Sequence, residues 1–312
     1  MHVSLSHSAI RPSIRRRLWA DRWIYLFLLP TVVLVASYTI WPMFASIWFS
    51  LLDWNGFERA GRFIAFGNYA EIFADRLFWN AFANTVIFVV VAVPIRVGLA
   101  LLLAVVLNAG LPFSRSFRTA IFLPVVTTAA ILGVVMRFVL DPASGPVNEV
   151  LLQLHLITQP INFLGRAGLS LYTAIGVWVW KWLGITLIYW MAALQTIPAD
   201  LYDAARIDGA GRWQRFRYIT VPLLTPFTII ITLITVVEAT NVFDLMLTLT
   251  NGGPFFSSEV IDIFVYRQAF AANIPRLGYA SAAALLFGVC VMAVIAAQIV
   301  VVARLRRRVA EQ

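Results

Sequence analysis

A few ionisable residues lie inside long apolar stretches of this chain: Arg96 in "VPIRVG", Lys181 in "VWKWLG", Glu238 in "VVEATN" and Asp244 in "NVFDLM". A charge held at that depth in a bilayer costs several kcal/mol, so it faces a cavity, a water path or an opposite charge. Counting about 1.5 Å of rise per residue from the expected inner helix ends puts Lys181 roughly 22 Å deep, Glu238 roughly 25 Å, Arg96 about 18 Å and Asp244 about 35 Å. Matching depth makes Lys181 and Glu238 expected neighbours, with Arg96 as a third member. Around the lysine, Trp178, Trp182, Ile185 and Tyr189 follow helical spacing and form one aromatic face carrying a single amine. Glu238, Asn241 and Asp244 are expected to share a second face. Two readings fit. Aromatic planes flanked by hydrogen-bonding groups suit a hydroxyl-rich solute with an apolar face, such as a sugar. Alternatively the same residues are packed aromatics and an interhelical ion pair, which is the default for Trp178 and Trp182. Covalent chemistry has no visible machinery. His2, His7 and His155 lack metal-ligand spacing, Cys290 stands alone in an apolar helix, and no nucleophile–base constellation is recognisable.

The elements that would position these groups follow from composition. With 61% apolar and 12% charged residues in 312, the chain does not read as a soluble domain. The apolar runs predict an all-α membrane protein with six spans, at about 24–50, 80–108, 118–140, 170–196, 221–249 and 278–303. Long uninterrupted runs argue against a β-barrel. Pro30 and Pro42 are expected to bend or end the first helix, which is too long for a cleavable signal core. Fifteen arginines fall in the segments on the N-terminal side, against six in the opposite loops. That bias places both termini in the cytoplasm and accounts for the net charge of +9 through membrane lipids, with no need for nucleic acid. Residues 1–23 read as a basic N-terminal segment, 24–303 as the transmembrane domain and 304–312 as a basic tail. Arg137, near the outer end of its span, is expected to snorkel. Val147–Leu156 is a candidate surface helix, and the stretch after "TNGGP" a candidate amphipathic helix on the outer leaflet.

Between the fourth and fifth spans lies "DAARIDGAGRWQRFRYITVPLLTP", residues 203–226. Leu201, Ala204, Ala205 and Asp208 share one helical face, whose two alanines allow close approach by another protein. Gly209 ends that helix, Trp213 and Phe216 anchor a second, and Pro222 opens the next span. The segment 199–222 is thus expected to be a cytoplasmic helix–Gly–helix elbow suited to docking in a partner's groove.

This segment resembles that of permease subunits of bacterial ATP-binding-cassette importers, in the carbohydrate group typified by the maltose importer. Their hallmark is Glu-Ala-Ala, three residues, Gly, nine residues, Ile-x-Leu-Pro. The chain has Asp203-Ala204-Ala205, Gly209 and Ile219-Thr220-Val221-Pro222, with Asp203 for Glu and Val221 for Leu. The shorter Asp203 stem calls for a closer approach in any salt bridge to the ATPase. "FRTAIFLPVV", "GPVNEVL", "NVFDLMLTLTNGGP" and "YRQAF" also resemble that group. The resemblance implies a pore-forming subunit, not an enzyme, whose elbow residues Asp203, Ala204, Ala205, Asp208, Gly209, Trp213, Phe216 and Pro222 receive the motion of two separate ATP-binding subunits. It further implies a second permease, usually a different chain, a periplasmic or lipid-anchored solute-binding protein, and a place in the bacterial inner membrane. The only lysine, Lys181, sits in a span, so no phosphate-binding loop exists here and ATP with its Mg belongs to the partners. The rival is an ion-coupled secondary transporter relaying protons through Glu238 and Lys181; it would not use a docking elbow, and no internal repeat is apparent.

Overall fold

The computed structural model of the chain describes residues 22–59, 61–108 and 113–310. The expected N-terminal arginines Arg11, Arg15, Arg16 and Arg17 lie outside the described residues, as do the side chains of the basic tail. Among the described residues the chain is helical apart from a two-stranded hairpin, β1 (Leu52–Asp53) with β2 (Arg62–Phe63).

The first span, α1 (Trp23–Phe49), is continuous. Pro30 sits within it, and Pro42 follows a π-turn over Ala36–Ile40, in which the Trp41 N–H reaches back to the Ala36 carbonyl. Proline donates no N–H and crowds the carbonyl four residues back, so widening the preceding turn lets the helix pass without ending. The same arrangement recurs before Pro222, where the Val221 N–H bonds to the Phe216 carbonyl. After the hairpin come α2 (Gly67–Ala74) and α3 (Arg76–Asn108), the second span.

The third span is not one helix. It consists of α4 (Ser114–Val126) and α5 (Ala129–Val139), bent by 103° at an extended Thr127-Thr128 pair. Helix α6 (Pro146–Gln153) occupies the expected loop position, and α7 (Leu169–Leu194) is the fourth span. Two short segments complete the elbow: α8 (Ala199–Ile207), then the start of α9 (Arg212–Ala239), the fifth span. The fifth span also stops earlier than expected. Helix α9 ends at Ala239, and α10 (Phe243–Leu249) begins after a three-residue break. Finally α11 (Ile261–Tyr266) leads to α12 (Leu277–Ala310), the sixth span.

The core runs along α3, α7 and α9. In the most apolar window of α7, 61% of residues are buried, against 0% in α1 and 6% in α12, so α7 is the central post and the terminal spans are peripheral. Span α7 approaches α4 closely at Gly184, where an added Cβ would lie 2.7 Å from the Ile121 carbonyl oxygen and the Phe122 Cα. Helix α11 packs into the protein. Its Ile261, Ile263 and Phe264 are buried, and the preceding loop is tied to α3 by Asn84, whose Nδ2 donates to the Phe256 and Glu259 carbonyls.

Candidate functional site

The intramembrane charges resolve into two separate arrangements. Arg96 on α3 is fully buried. Its Nη1 donates to Glu238 Oε2 on α9 at 2.6 Å, and its Nε to Thr186 Oγ1 on α7 at 2.8 Å. The guanidinium carbon lies 4.8 Å from the centroid of the Trp178 ring, which meets Phe88 edge-to-face. One arginine thereby ties the three core spans together. Its remaining terminal nitrogen is buried without a hydrogen-bond partner among the described residues, so Glu238 is its principal compensation.

Lys181 is elsewhere. Its Nζ donates to the Thr127 carbonyl and, at 3.3 Å, to the Pro124 carbonyl, while resting 4.4 Å from the Trp182 ring centroid. These carbonyls belong to the end of α4, which the 103° break deprives of helical partners. A cation there also answers the negative end of the helix dipole. The expected Lys181–Glu238 neighbourhood is therefore corrected: Glu238 belongs to Arg96, and Lys181 caps the broken third span. Equal depth along two helices does not make two side chains face one another.

The expected common face of Glu238, Asn241 and Asp244 is likewise interrupted. Asn241 lies in the break after α9, and Asp244 stands in the first turn of α10. Thr240 Oγ1 turns back to the Val237 carbonyl at 2.8 Å, and the Val242 N–H is taken by Asp262 Oδ2 at 3.0 Å. That carboxylate, twenty residues along the chain on α11, starts the new helix. Burial pushes the Asp262 carboxyl up to about 6, although the N–H groups of Val242 and Phe243 pull it down. Asn241, Phe243, Asp262, Tyr266 and Phe270 line a concavity of about 490 Å³ on this side. The Phe243 and Tyr266 rings lie 5.2 Å apart. Neither Asp262 nor the Glu259–Arg267 pair (2.7 Å), whose carboxylate is buried, was marked by sequence spacing, because tertiary folding alone brings the Val242 N–H to Asp262 and turns the loop at Glu259 back toward Arg267.

The elbow matches its sequence signature closely. Helix α8 ends with the Ala210 N–H on the Ala205 carbonyl and the Gly209 N–H on the Arg206 carbonyl, and Gly209 has φ +77°. This doubly bonded, left-handed ending favours glycine because a Cβ would be strained there. Gln214 Oε1 accepts from the Gly211 N–H at 2.7 Å and opens the second segment. Ala204 and Asp208 are exposed, and Asp203 bridges to Arg206 at 2.9 Å on the surface. Trp213 is 72% exposed, with Phe216 beside it at 5.6 Å.

A family profile described as the inner membrane component of binding-protein-dependent transport systems matches residues 60–310. The chain belongs to this family. The elbow and bent helices of this chain thus belong to a transport permease of ATP-binding-cassette importers, a membrane subunit and not an enzyme. Among curated permeases, the Bacillus subtilis protein named probable ABC transporter permease YurN is 36% identical over 83% of this chain and 89% of its own length. The lactose transport system permease LacF of Rhizobium radiobacter is 34% identical, covering 87% of this chain and 90% of that one. In fold, the permease is similar to a chain of a bacterial transporter importing the acidic polysaccharide alginate, with a TM-score of 0.78 at 23% identity over 93% of this chain and 98% of that one. The secondary-transporter reading finds no support: its proposed relay pair is separated, and the relatives are importer permeases.

Proposed function

We propose that this permease forms half of the translocation pathway for a sugar or related polyol, driven by alternating access from two separate ATP-binding subunits. The observation that carries the reading is the elbow. A self-capped helix exposes Ala204 and Asp208 at the motif register of the family, and Gly209 turns the chain back to the fifth span. A short, rigid projection with small side chains suits a groove on a motor protein, and its stiff link to α9 carries motion into the bundle. The positive-inside bias supports placing the elbow and both termini in the cytoplasm of the bacterial inner membrane. In this reading ATP and Mg are bound by the partner subunits, the second permease is a different chain, and a periplasmic or lipid-anchored binding protein delivers the solute.

The transported class is supported by the sugar relatives and by polar and aromatic groups left partly open in the bundle. Glu238, Asn241 and Asp244 keep accessible surface, as does Trp182. These groups are assigned to the pathway wall, with Arg96, Lys181 and Trp178 holding that wall from behind. Co-purification and flux test this function together. The tagged permease is expected to bring down an ATPase, and vesicles holding the complex are expected to take up sugar only with ATP and the binding protein. Uptake in ATP-free vesicles, or a permease that captures no ATPase, removes the reading.

A further inference from the structure

Behind the elbow is a second concavity, of about 500 Å³, formed where the end of α3 meets α8 and the start of α9. Its polar wall carries Asn108, Tyr202, Arg206, Arg212 and Arg215. Asp203 neutralises only Arg206, and Arg212 and Arg215 have no ion pair among the described residues. Arg215 Nε is buried without a hydrogen-bond partner among the described residues, so the protein leaves this guanidinium incompletely compensated. Tyr202 Oη and Thr220 Oγ1, 2.9 Å apart, tie the two elbow segments together and hold this wall in shape. Val105 and Leu194 add an apolar floor running toward the spans. Beside the pocket, Trp213 and Tyr218 are 72% and 73% exposed. Trp213 lies on the elbow face proposed for the ATPase, whereas an exposed Tyr218 near the start of the apolar part of the span is characteristic of headgroup level.

We propose that this pocket binds a phosphate group, carried by an anionic lipid headgroup or by a free phosphate ion. Forked guanidinium donors match phosphate oxygens two at a time, and an excess of positive charge favours an anion over a zwitterion. The apolar floor and the flanking Tyr218 favour the lipid source, because an acyl chain could continue from the headgroup along Val105 and Leu194. Such a ligand would fill the angle between the elbow and the second span. The inner-leaflet assignment and the use of the assembled importer rest on the function proposed above, but binding is read without transport, so its failure leaves the importer reading untouched.

The test is native mass spectrometry of the purified, assembled importer titrated with phosphatidylglycerol, phosphatidylcholine and inorganic phosphate. Phosphatidylglycerol is expected to bind about tenfold more tightly than phosphatidylcholine, as befits charge-assisted contacts. The double variant Arg212→Gln/Arg215→Gln should erase that preference, while Arg217→Gln, on the same segment outside the pocket, should keep it. Arg212→Lys/Arg215→Lys retains charge without the fork and should fall between, which covers the case in which the glutamine variant fails to assemble. Lipid retained against excess inorganic phosphate identifies the headgroup; displacement by phosphate, with phosphate itself retained, identifies the free ion. Equal binding of the two lipids overturns the proposal. So does an equal loss in Arg217→Gln, or lipid binding by the permease alone that disappears when the ATPase is attached.

Discussion

Two arginine–carboxylate pairs of similar length sit at opposite ends of this molecule's range of environments. Arg96 and Glu238 meet at 2.6 Å with the arginine wholly buried; Asp203 and Arg206 meet at 2.9 Å with both side chains more than half exposed. In the core, burial makes each polar atom depend on its partner, so the pair links spans and has little freedom to change. On the elbow, water screens the ions, the pair contributes little to stability, and the neighbouring alanine face stays available to another protein. Intramembrane charge is thus architecture at Arg96 and Lys181. The surface proposed above to receive the motor's motion is an exposed knuckle with small residues at its centre and screened charges around them.

The largest expected effect comes from removing the core compensation. Glu238→Leu should destabilise the detergent-solubilised importer by about 3–5 kcal/mol, the cost of an uncompensated buried charge. Adding Arg96→Met should restore much of that loss, and a thermal-melt double-mutant cycle reads the coupling directly. If the two losses simply add, the contrast between core and elbow pairs fails. Next is Gly209→Pro, which forces φ near −65° where the chain needs +77°. We expect uptake to fall more than tenfold while the protein still reaches the membrane and ATP hydrolysis continues, measured in the same vesicles; the tenfold figure corresponds to about 1.4 kcal/mol of lost coupling.

Lys181→Met should cost roughly 1–3 kcal/mol by orphaning the α4 carbonyls. Combined with Glu238→Leu its effect should be additive within about 0.5 kcal/mol, because the two residues have separate partners. A large coupling energy would restore the Lys181–Glu238 pair that depth alone suggested. The smallest effect concerns pH. The Asp262 carboxyl titrates near 6 in the folded chain, above its unfolded value, so the fold holds that proton longer than the unfolded chain does. Stability from this residue is present at low pH and declines as pH rises from about 4 to about 6. Asp262→Asn keeps an acceptor for the Val242 N–H but no charge, and its melting temperature should lack that decline; an identical slope in both proteins contradicts the assignment.

Much of the architecture was legible because its causes are local. Apolar length determines a span, and Gly209 and Pro222 each act through the backbone of their own turn. Lys181 was recognisable as exceptional, since a lone amine among tryptophans in a span must have a partner. That partner could not be read. The Thr127-Thr128 break carries no glycine, and the carbonyls it frees lie some fifty residues before the lysine. Asp262 gave no signal either, because capping α10 from α11 requires the intervening loop to fold back.

By itself the sequence determined which helices are long and apolar enough to span a membrane, which segment forms the two-part elbow and where that segment turns, since each depends on side-chain type and neighbouring backbone. Tertiary structure alone decided which charge answers which. Depth along a helix follows from residue number, but the direction a side chain faces across the bundle depends on how spans rotate and break against one another. For that reason Glu238 meets Arg96, and Lys181 meets the open end of a helix.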